Sequence, residues 1–272
     1  MVKIKNFNGE QELIMDFKKE FFCENEQPLD RLVDGYSNTA IFRKMAFIGD
    51  SLSSGEFESR NADGSPGWHD YYEYSWGQYI ARKNGLEAYN FSAGGMSAKQ
   101  YMESFAQNRD LFNPEKAAQG YVIALGVNDV TIPDLPLGTV GDIDGEDWHN
   151  NKKTFVGYVA QIIARYKEIQ PRAKFFLLTI PRSGTEKDDI SAAHAKAIYA
   201  LAEYFDDCYV IDLYKYAPVY DEEFKKRFYL YNHMNAMGYI FTARMIDSYI
   251  DYIIRKNPED FVYVPFIGTD LK

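Results

Sequence analysis

A serine that could act as a nucleophile lies in the sequence Gly-Asp-Ser-Leu at residues 49–52, directly after the apolar run at residues 44–48. A serine hydroxyl attacks a carbonyl carbon only when a base takes its proton and fixed N–H donors stabilise the oxyanion that forms. Where a strand stops and a helical turn begins, the backbone N–H of Ser51 would point outward, so Ser51 could supply one donor as well as the attacking oxygen. Asp50 is predicted to support this turn. Because four common residues also meet by chance, this short sequence by itself indicates no more than a turn.

Two other predicted strand ends supply hydrogen-bond donors for the same oxyanion. The pair Gly94-Gly95 follows the second predicted strand, and a glycine lets the backbone come close to a ligand and present an N–H without a side chain in the way. Asn128 follows the third predicted strand, and its amide NH₂ group can point at the same carbonyl oxygen. Asp129, the next residue, is expected to hold this loop by accepting hydrogen bonds from backbone N–H groups rather than to take part in the chemistry.

The base that activates a serine in this way must be one of the four histidines. His69 and His149 lie in long predicted loops, and His194 lies between alanines in a predicted helix, where we expect an ordinary surface or packing residue. His233 stands in a turn directly before the last predicted helix. A loop that enters this helix can return to the carboxyl edge of the sheet, so His233 is the best candidate for the base.

The strands and helices that must position these residues alternate along the chain. Apolar runs of strand length occur at residues 44–48, 88–91, 121–125, 174–180 and 209–211, and helical spacing of apolar residues occurs at residues 75–83, 151–169, 188–204 and 236–254. This alternation is typical of a parallel sheet with right-handed crossovers, which put helices on both faces. We therefore predict an α/β fold, a three-layer α/β/α sandwich, in which ligands bind at the carboxyl ends of the strands.

Three stretches fall outside this alternation. Residues 1–43 are interpreted as an N-terminal extension packed on the core, with one short helix at residues 10–22. Residues 53–70 and 131–150 are polar and rich in turn-forming residues, and we interpret them as long loops at the carboxyl edge, where loops often determine specificity. No internal repeat divides the remainder, so residues 44–272 are predicted to form a single domain.

Composition and charge exclude several functional classes. With 30 basic and 40 acidic side chains among 272 residues, the formal charge is −10 and no long basic run interrupts it, so neither a nucleic acid nor an anionic membrane is expected as a partner. No stretch approaches the roughly 20 apolar residues that span a bilayer, and the N-terminus lacks the apolar segment of a secretory signal, which favours a cytoplasmic protein. Cys23, Cys208 and the histidines lack metal-ligand spacing, so we expect neither a metal nor a cofactor. The sequence also lacks the glycine-rich loop with a lysine that a phosphate-binding nucleotide protein needs.

Taken together, four blocks of the sequence resemble those of the SGNH, or GDSL-type, hydrolase superfamily. In chain order they are residues 49–52, residues 90–97 with their glycine pair, residues 126–129, and His233. The blocks occur in the order of the family, each at a strand end or in a loop, and the resemblance spans residues 44–256. It implies a flavodoxin-like α/β/α sandwich with about five parallel strands.

The resemblance also implies roles for individual residues. Ser51 would be the nucleophile and His233 the base. The backbone N–H groups of Ser51 and Gly95 and the side chain of Asn128 would form the oxyanion hole. Gly95 is preferred over the glycine before it, because a glycine five residues after Asn90, followed two residues later by a serine, matches the second block of the family.

One position departs from the pattern of the family. Members usually carry an aspartate three residues before the catalytic histidine, which fixes the tautomer of the ring, but this chain has Leu230 there. Three alternatives follow: a backbone carbonyl orients the histidine ring, a carboxylate elsewhere does so, or no group does. The carboxylates nearby in sequence are Asp221, Glu222 and Glu223. Since some members are thought to work as Ser–His dyads, we expect a dyad supported by a carbonyl.

These residues predict a serine esterase that forms an acyl-enzyme. From the habit of the family we expect short acyl groups, especially acetyl groups on carbohydrate. Aromatic residues in polar loops could stack on a sugar, although loop packing accounts for them equally well: Trp68, Tyr71, Tyr72, Tyr74 and Trp148. No broad apolar lid is evident, so a true lipase is disfavoured, whereas a thioesterase or a lysophospholipase stays open. A binding protein of the same fold that has lost catalysis is the other alternative; Leu230 favours it, and the intact serine, glycine, asparagine and histidine argue against it.

Overall fold

The fold is seen in a computed structural model of the chain, in which residues 2–5, 12–15, 25–131 and 135–271 are described. The strands, in chain order, are β1 (Val2–Lys5), β2 (Glu12–Met15), β3 (Lys44–Gly49), β4 (Glu56–Arg60), β5 (Pro66–Asp70), β6 (Glu87–Asn90), β7 (Gly120–Ala124), β8 (Lys174–Leu178), β9 (Cys208–Ile211), β10 (Tyr229–Leu230) and β11 (His233–Met234). The helices are α1 (Ser51–Ser54), α2 (Trp76–Asn84), α3 (Ala98–Gln100), α4 (Ala106–Asn108), α5 (Phe155–Ile169), α6 (Asp188–Tyr204), α7 (Leu213–Tyr216), α8 (Glu222–Phe228), α9 (Ala236–Lys256) and α10 (Pro258–Phe261). A π-helical turn, Tyr101–Phe105, joins α3 to α4, and 3₁₀ turns occur at Asn38–Ile41, Tyr72–Tyr74, Pro114–Lys116, Asp129–Thr131, Val140–Asp142, Trp148–Asn150 and Val264–Phe266.

Five strands form one parallel sheet in the order β6-β3-β7-β8-β9. The order reverses at β3, because β6 pairs with one edge of β3 and β7 pairs with the other. Ligands of such sheets bind outside the carboxyl ends of the strands at the point of reversal. The predicted α/β/α sandwich with five parallel strands is confirmed, and each of the five predicted strands is present.

Side chains of the sheet alternate between two apolar cores, one on each face. Met45 and Phe47 of β3 point into the core beneath α2 and α9, whereas Ala46 and Ile48 point into the core beneath α5 and α6. All four are at most 1% exposed, as expected for a strand that is covered on both faces. Full burial of a large apolar side chain contributes about 1.5–3 kcal/mol. These contacts fix β3 in the centre of the sheet, so the residues that follow it start from a rigid strand.

The helices that flank the sheet begin and end at capping residues. Ser75 caps α2 by accepting a hydrogen bond from the backbone N–H of Gln78, and Gly85 ends the helix in the left-handed conformation, with φ 71°. Thr154 caps α5, so that helix begins at Phe155 rather than at residue 151 as the apolar spacing predicts. The last two predicted helices are present as α6 and α9.

The N-terminal segment differs from its prediction. The helix predicted at residues 10–22 is wrong over Glu12–Met15, which form β2 and pair antiparallel with β1; its other residues lie outside the described part of the chain. A short apolar run is compatible with strand or helix, and here strand pairing decides between them. Further along, Ser37 Oγ donates to Asp247 at 2.7 Å and Asn38 N donates to Asp251 at 2.8 Å, so this part of the extension contacts α9.

The loop predicted at residues 53–70 is largely a β-hairpin. β4 and β5 pair antiparallel over their full length, and a hydrogen bond from Asn61 N to Ser65 O closes the turn between them. Phe57 anchors the hairpin, because its ring lies 5.5, 5.4 and 5.2 Å from those of Tyr71, Tyr74 and Tyr239. Charged residues of β4 interrupt the apolar alternation by which a strand is recognised, so the sequence predicted a loop. The second predicted loop, residues 131–150, contains 3₁₀ turns, and its residues 132–134 lie outside the described residues.

Candidate active site

Ser51 lies at the carboxyl end of β3, where the strand passes into α1. Asp50 caps α1, because its carboxylate accepts a hydrogen bond from the backbone N–H of Leu52 at 2.9 Å. Residue 49 must be glycine, since a Cβ there would lie 2.6 Å from the Cβ of Ser53. Ser51 is 8% exposed. The turn predicted at residues 49–52 is thus a strand-to-helix junction that holds the serine hydroxyl largely shielded from water.

His233 contacts the hydroxyl of Ser51 through its Nε2 atom, at 2.9 Å from Oγ. The histidine belongs to β11, which pairs antiparallel with β10 in a tight two-stranded turn where Tyr231 adopts a positive φ of 60°. Asn235 then caps α9 by accepting from the backbone N–H of Gly238 at 3.0 Å. The last helix and the tight turn before it therefore bring the predicted base to the predicted nucleophile.

The predicted oxyanion donors lie at the same edge of the sheet. Gly95 has a φ of 70°, and a Cβ on it would meet no atom within 4 Å, whereas a Cβ on Gly94 would lie 2.3 Å from the carboxylate of Glu56. Gly95 and Asn128 line one shallow cavity, whose other lining residues have polar side chains: Ser97, Lys99, Gln100, Glu103 and Ser104. The amide of Asn128 donates to Met96 O at 3.0 Å and more weakly to Asp50 at 3.4 Å. These bonds hold the asparagine beside the serine turn.

Asp50 and Asp129 are buried carboxyl groups beneath this edge. Burial raises the pKa of Asp50 to about 7, against the hydrogen bond from Leu52, which lowers it. Burial likewise raises the pKa of Asp129 to about 6. Asp129 accepts a hydrogen bond from the backbone N–H of Ala98 at 2.9 Å. It therefore ties the loop after β7 to the start of α3.

A carboxylate faces the other nitrogen of the histidine ring, and it comes from the hairpin. Glu58 Oε2 of β4 lies 3.5 Å from His233 Nδ1. This is an ion-pair separation, longer than the roughly 2.9 Å of a good N–H···O bond, and such contacts often tighten when a substrate binds. The expected backbone carbonyl is not found, because Nδ1 has no hydrogen-bond partner among the described residues. Leu230 is 41% exposed.

The carboxylates that are near in sequence are engaged elsewhere. Asp221 caps α8 by accepting from the backbone N–H of Phe224 at 2.9 Å, and Glu223 pairs with Lys226 at 2.8 Å. Sequence reasoning missed Glu58 because nothing local marks it. The only trace is the alternation of charged residues at positions 56, 58 and 60, which places three charged side chains on one face of a strand.

Glu58 is completely buried, with 0% of its side chain exposed. The Arg60 guanidinium pairs with its Oε1, and the backbone N–H of Asn232 donates to its Oε2 at 3.0 Å. Burial opposes ionisation, but these hydrogen bonds, with a contribution from His233, outweigh it and hold the pKa of Glu58 below its ordinary value. Arg60 in turn lies over the ring of Tyr231, 3.8 Å from its centroid.

The other three histidines lie away from Ser51. His69 contacts Ser59 Oγ at 2.8 Å on the hairpin, and the ring of His149 stacks on that of Trp148 with centroids 3.6 Å apart. His194 is fully buried, and burial lowers its pKa to about 4. Its Nε2 lies 3.2 Å from Leu125 O, so it is the packing residue that its alanine-rich helix predicts.

Of the five loop aromatic residues for which sugar stacking and loop packing were equally compatible with the sequence, Trp68 lies beside His233. Its ring meets that of His233 edge to face, with centroids 5.0 Å apart, and the residue is 52% exposed. Tyr71 and Tyr74 pack on Phe57. The hydroxyl of Tyr72 donates to Ala88 O, and Trp148 donates to Glu168. Loop packing thus accounts for these four.

A cavity of about 420 Å³ opens beside the serine and the histidine. Chain neighbours of both residues line it: Asp50, Leu52, Asn232 and Met234. Its apolar wall continues along the ends of β7 and β8 and the start of α2, at Ala124, Leu178 and Trp76. The shallow cavity of Gly95 and Asn128 has none of these lining residues. Ser51 and His233 themselves line neither cavity; their chain neighbours line the apolar one, and two of the predicted oxyanion donors line the other.

The sequence of the chain matches the GDSL-like lipase/acylhydrolase family over residues 47–240. This span contains Ser51, Gly95, Asn128 and His233. The chain therefore belongs to that family, a family of hydrolases, and the resemblance to SGNH, or GDSL-type, hydrolases is confirmed. No curated protein sequence matches the chain.

Several solved structures are similar to this fold. A family two carbohydrate esterase from Clostridium thermocellum in complex with cellohexaose has a TM-score of 0.54 at 15% sequence identity, over 85% of this chain and 67% of that one. A family two carbohydrate esterase with a carbohydrate binding domain from Corynascus thermopiles (Myceliophthora fergusii) has a TM-score of 0.54 at 16% identity, over 82% and 69%. A protein from Lactobacillus plantarum has a TM-score of 0.57 at 16% identity, over 78% and 97%. At such identities the likeness is one of fold.

None of the helices in residues 25–131 and 135–271 is long and apolar enough to cross a membrane. In the same residues, no group of three or more His, Cys, Asp or Glu side chains is placed to hold a metal ion.

Proposed function

We propose that the protein is a serine esterase that hydrolyses carboxylic esters through an acyl-enzyme on Ser51. The observation that carries this proposal is the 2.9 Å contact between His233 Nε2 and Ser51 Oγ. A serine becomes a nucleophile at neutral pH when an imidazole accepts its proton. In this chain the pair lies where the order of a parallel sheet reverses, which is where such sheets bind ligands.

The geometry supports a two-step reaction. Ser51 Oγ attacks the ester carbonyl carbon while Nε2 of His233 takes its proton, and the intermediate collapses when His233 returns that proton to the leaving alcohol. Water then attacks the acyl-serine by the same proton path, releasing the acid and restoring the serine. The oxyanion of both intermediates would be held by the backbone N–H groups of Ser51 and Gly95 and by the amide of Asn128, which would exchange its weaker 3.4 Å bond to Asp50 for the oxyanion. Each such donor is worth about 100- to 1,000-fold in rate.

We propose acetyl and other short acyl esters of carbohydrates as the preferred substrates. Trp68 supports this class, because half of it is exposed beside His233 and an exposed aromatic ring can pack against the face of a sugar. The polar cavity at Gly95 and Asn128 offers room for a hydroxylated alcohol group. Two proteins of similar fold are carbohydrate esterases, one of them solved with cellohexaose.

A longer acyl group is the second candidate, and one observation favours it. The apolar cavity of about 420 Å³ beside Ser51 is larger than an acetyl group needs, and it is within the range of pockets that bind drug-sized ligands. A thioesterase or a lysophospholipase would fill it with an acyl chain.

One set of measurements tests these proposals. Wild type and Ser51→Ala are incubated with a fluorophosphonate probe and with p-nitrophenyl esters of two to eight carbons, and acetylated oligosaccharides are assayed beside them. We expect labelling and turnover in wild type and neither above background in the variant, with the highest kcat/KM for acetate. A maximum at six to eight carbons would select the second candidate. A wild type that neither labels nor turns over would instead mark a binding protein of this fold.

A further inference from the structure

The hairpin β4–β5 carries a buried carboxylate to the side of His233 that does not face Ser51. Nε2 is occupied by the serine hydroxyl at 2.9 Å, so Nδ1 is the nitrogen left to be oriented. Glu58 Oε2 lies 3.5 Å from it. Leu230 stands at the position where an aspartate usually performs this task in the family, and a leucine offers no acceptor.

We propose that Glu58 is the positioning residue of His233, holding the ring with its proton on Nδ1 and leaving Nε2 free to accept the proton of Ser51. The proposal rests on the proposed serine esterase function and names the group that takes the place of the missing aspartate. It replaces the expected carbonyl-supported dyad by an arrangement of serine, histidine and glutamate, in which the glutamate comes from a hairpin far away in sequence.

Glu58 rather than Glu56 is assigned because the two carboxylates face different nitrogens. Glu56 Oε1 lies 3.5 Å from Nε2, the atom that must receive the serine proton. Burial and repulsion from Asp70 raise the pKa of Glu56, which favours its neutral form. Glu58 faces Nδ1 and is held ionised by its donors. An ionised acceptor is what an Nδ1–H needs.

The residues around Glu58 keep it ionised and fixed in position, as a hydrogen-bond acceptor for His233 must be. A buried carboxylate is strongly unfavourable unless it is paired and hydrogen-bonded, and here Arg60 pairs with one oxygen while the backbone N–H of Asn232 donates to the other. Asn232 directly precedes His233, so the oxygen that faces Nδ1 also fixes the backbone that carries the ring. Arg60 is itself held over the ring of Tyr231, in the same turn.

The test compares Glu58→Gln with wild type and with Glu223→Gln as the matched control. The amide puts a donor NH₂ in place of one acceptor oxygen, the wrong partner for an Nδ1–H. We expect kcat to fall about 100- to 10,000-fold while KM changes less than about threefold. Glu58→Asp keeps the charge, and its kcat is expected to be at least about tenfold higher than that of Glu58→Gln. Glu223→Gln, an exposed carboxylate paired with Lys226, is expected to keep wild-type kcat.

A second readout does not depend on turnover. The ¹⁵N ring shifts of His233 show which nitrogen carries the proton, and we expect Nδ1 in wild type and a shift of the proton toward Nε2 in Glu58→Gln. Equal ring shifts in the two proteins, or a folded Glu58→Gln with kcat within threefold of wild type, would overturn the proposal. A wild type without serine-dependent turnover would refute the esterase, and the ring shifts would still decide the role of Glu58.

Circular dichroism shows whether a variant is folded, which separates a loss of activity through unfolding from a loss through mispositioning of His233. If Glu58→Gln does not fold because Arg60 is left unpaired, Glu58→Gln combined with Arg60→Met removes the whole ion pair, of which Glu58 is the buried member. We expect this double variant to fold and to show the same loss of kcat. A folded double variant with the kcat of wild type would refute the positioning role.

Discussion

The buried carboxyl group of Asp50 is predicted to make the protein less stable as pH rises, and Asp50→Asn is predicted to remove this dependence. Burial raises the pKa of Asp50 from the ordinary 3.8 to about 7. Between pH 3.8 and about 7, the folded state binds the proton of Asp50 more tightly than the unfolded state does. The contribution of this proton to the free energy of unfolding is therefore fully present below about pH 4. It decreases as pH rises to about 7 and stays constant above that.

The size of the effect follows from the contacts of the two carboxyl oxygens. The rise in the pKa of Asp50 from 3.8 to about 7 corresponds to about 4 kcal/mol of unfolding free energy. An asparagine keeps an oxygen for the backbone N–H of Leu52 and so keeps the cap of α1. Its NH₂ group would replace the oxygen that accepts from Asn128 at 3.4 Å, a loss of about 1 kcal/mol. We expect Asp50→Asn to be about 2–3 kcal/mol more stable than wild type at pH 8 and slightly less stable at pH 4.

Urea unfolding at pH 4 and pH 8, on either side of the sequence pI of about 5.0, measures the difference directly. Asp221→Asn is the matched control, because Asp221 also caps a helix, accepting from the backbone N–H of Phe224 at 2.9 Å, but is exposed. This variant shows how the same substitution acts at an exposed cap. If the difference in stability between Asp50→Asn and wild type is the same at pH 4 and pH 8, the reasoning from the buried carboxyl group is refuted.

Three further changes have expected outcomes. Gly126→Ala should destabilise the protein by about 3 kcal/mol or more. The φ of Gly126 is 132°, and a Cβ there would lie 2.2 Å from Nε2 of the buried His194. An unchanged Tm in thermal unfolding would contradict this. Trp68→Ala should raise KM for acetylated oligosaccharides about fivefold or more, and by less for p-nitrophenyl acetate, because the exposed ring beside His233 would no longer contact the sugar; equal effects on both substrates would refute a sugar platform. Ala124→Leu narrows the apolar cavity and should lower kcat/KM for octanoate more than for acetate, and an unchanged ratio would show that acyl chains bind elsewhere.

The sequence by itself determined the central sheet and the meeting of serine and histidine. Apolar runs, strand-ending glycines and helix caps are local patterns, and each predicts its element without reference to distant residues. Parallel strands share one carboxyl edge, so residues that follow them come together whatever the details of packing. For this reason Ser51 and His233, distant in the chain, could be paired from the sequence, and in the structure His233 Nε2 lies 2.9 Å from Ser51 Oγ.

Only the tertiary structure decided which carboxylate faces the histidine. β4 alternates charged residues with few apolar ones, so its local sequence is that of a loop, and its pairing with β5 and the packing of Phe57 are what make it a strand. The contact of Glu58 with His233 requires that hairpin to lie against the turn before α9. β2 is a strand for a similar reason. Its apolar run is compatible with a strand or a helix, and the pairing with β1 makes it a strand. In both cases a contact with another segment determines the structure, and such contacts leave no periodic pattern in the sequence.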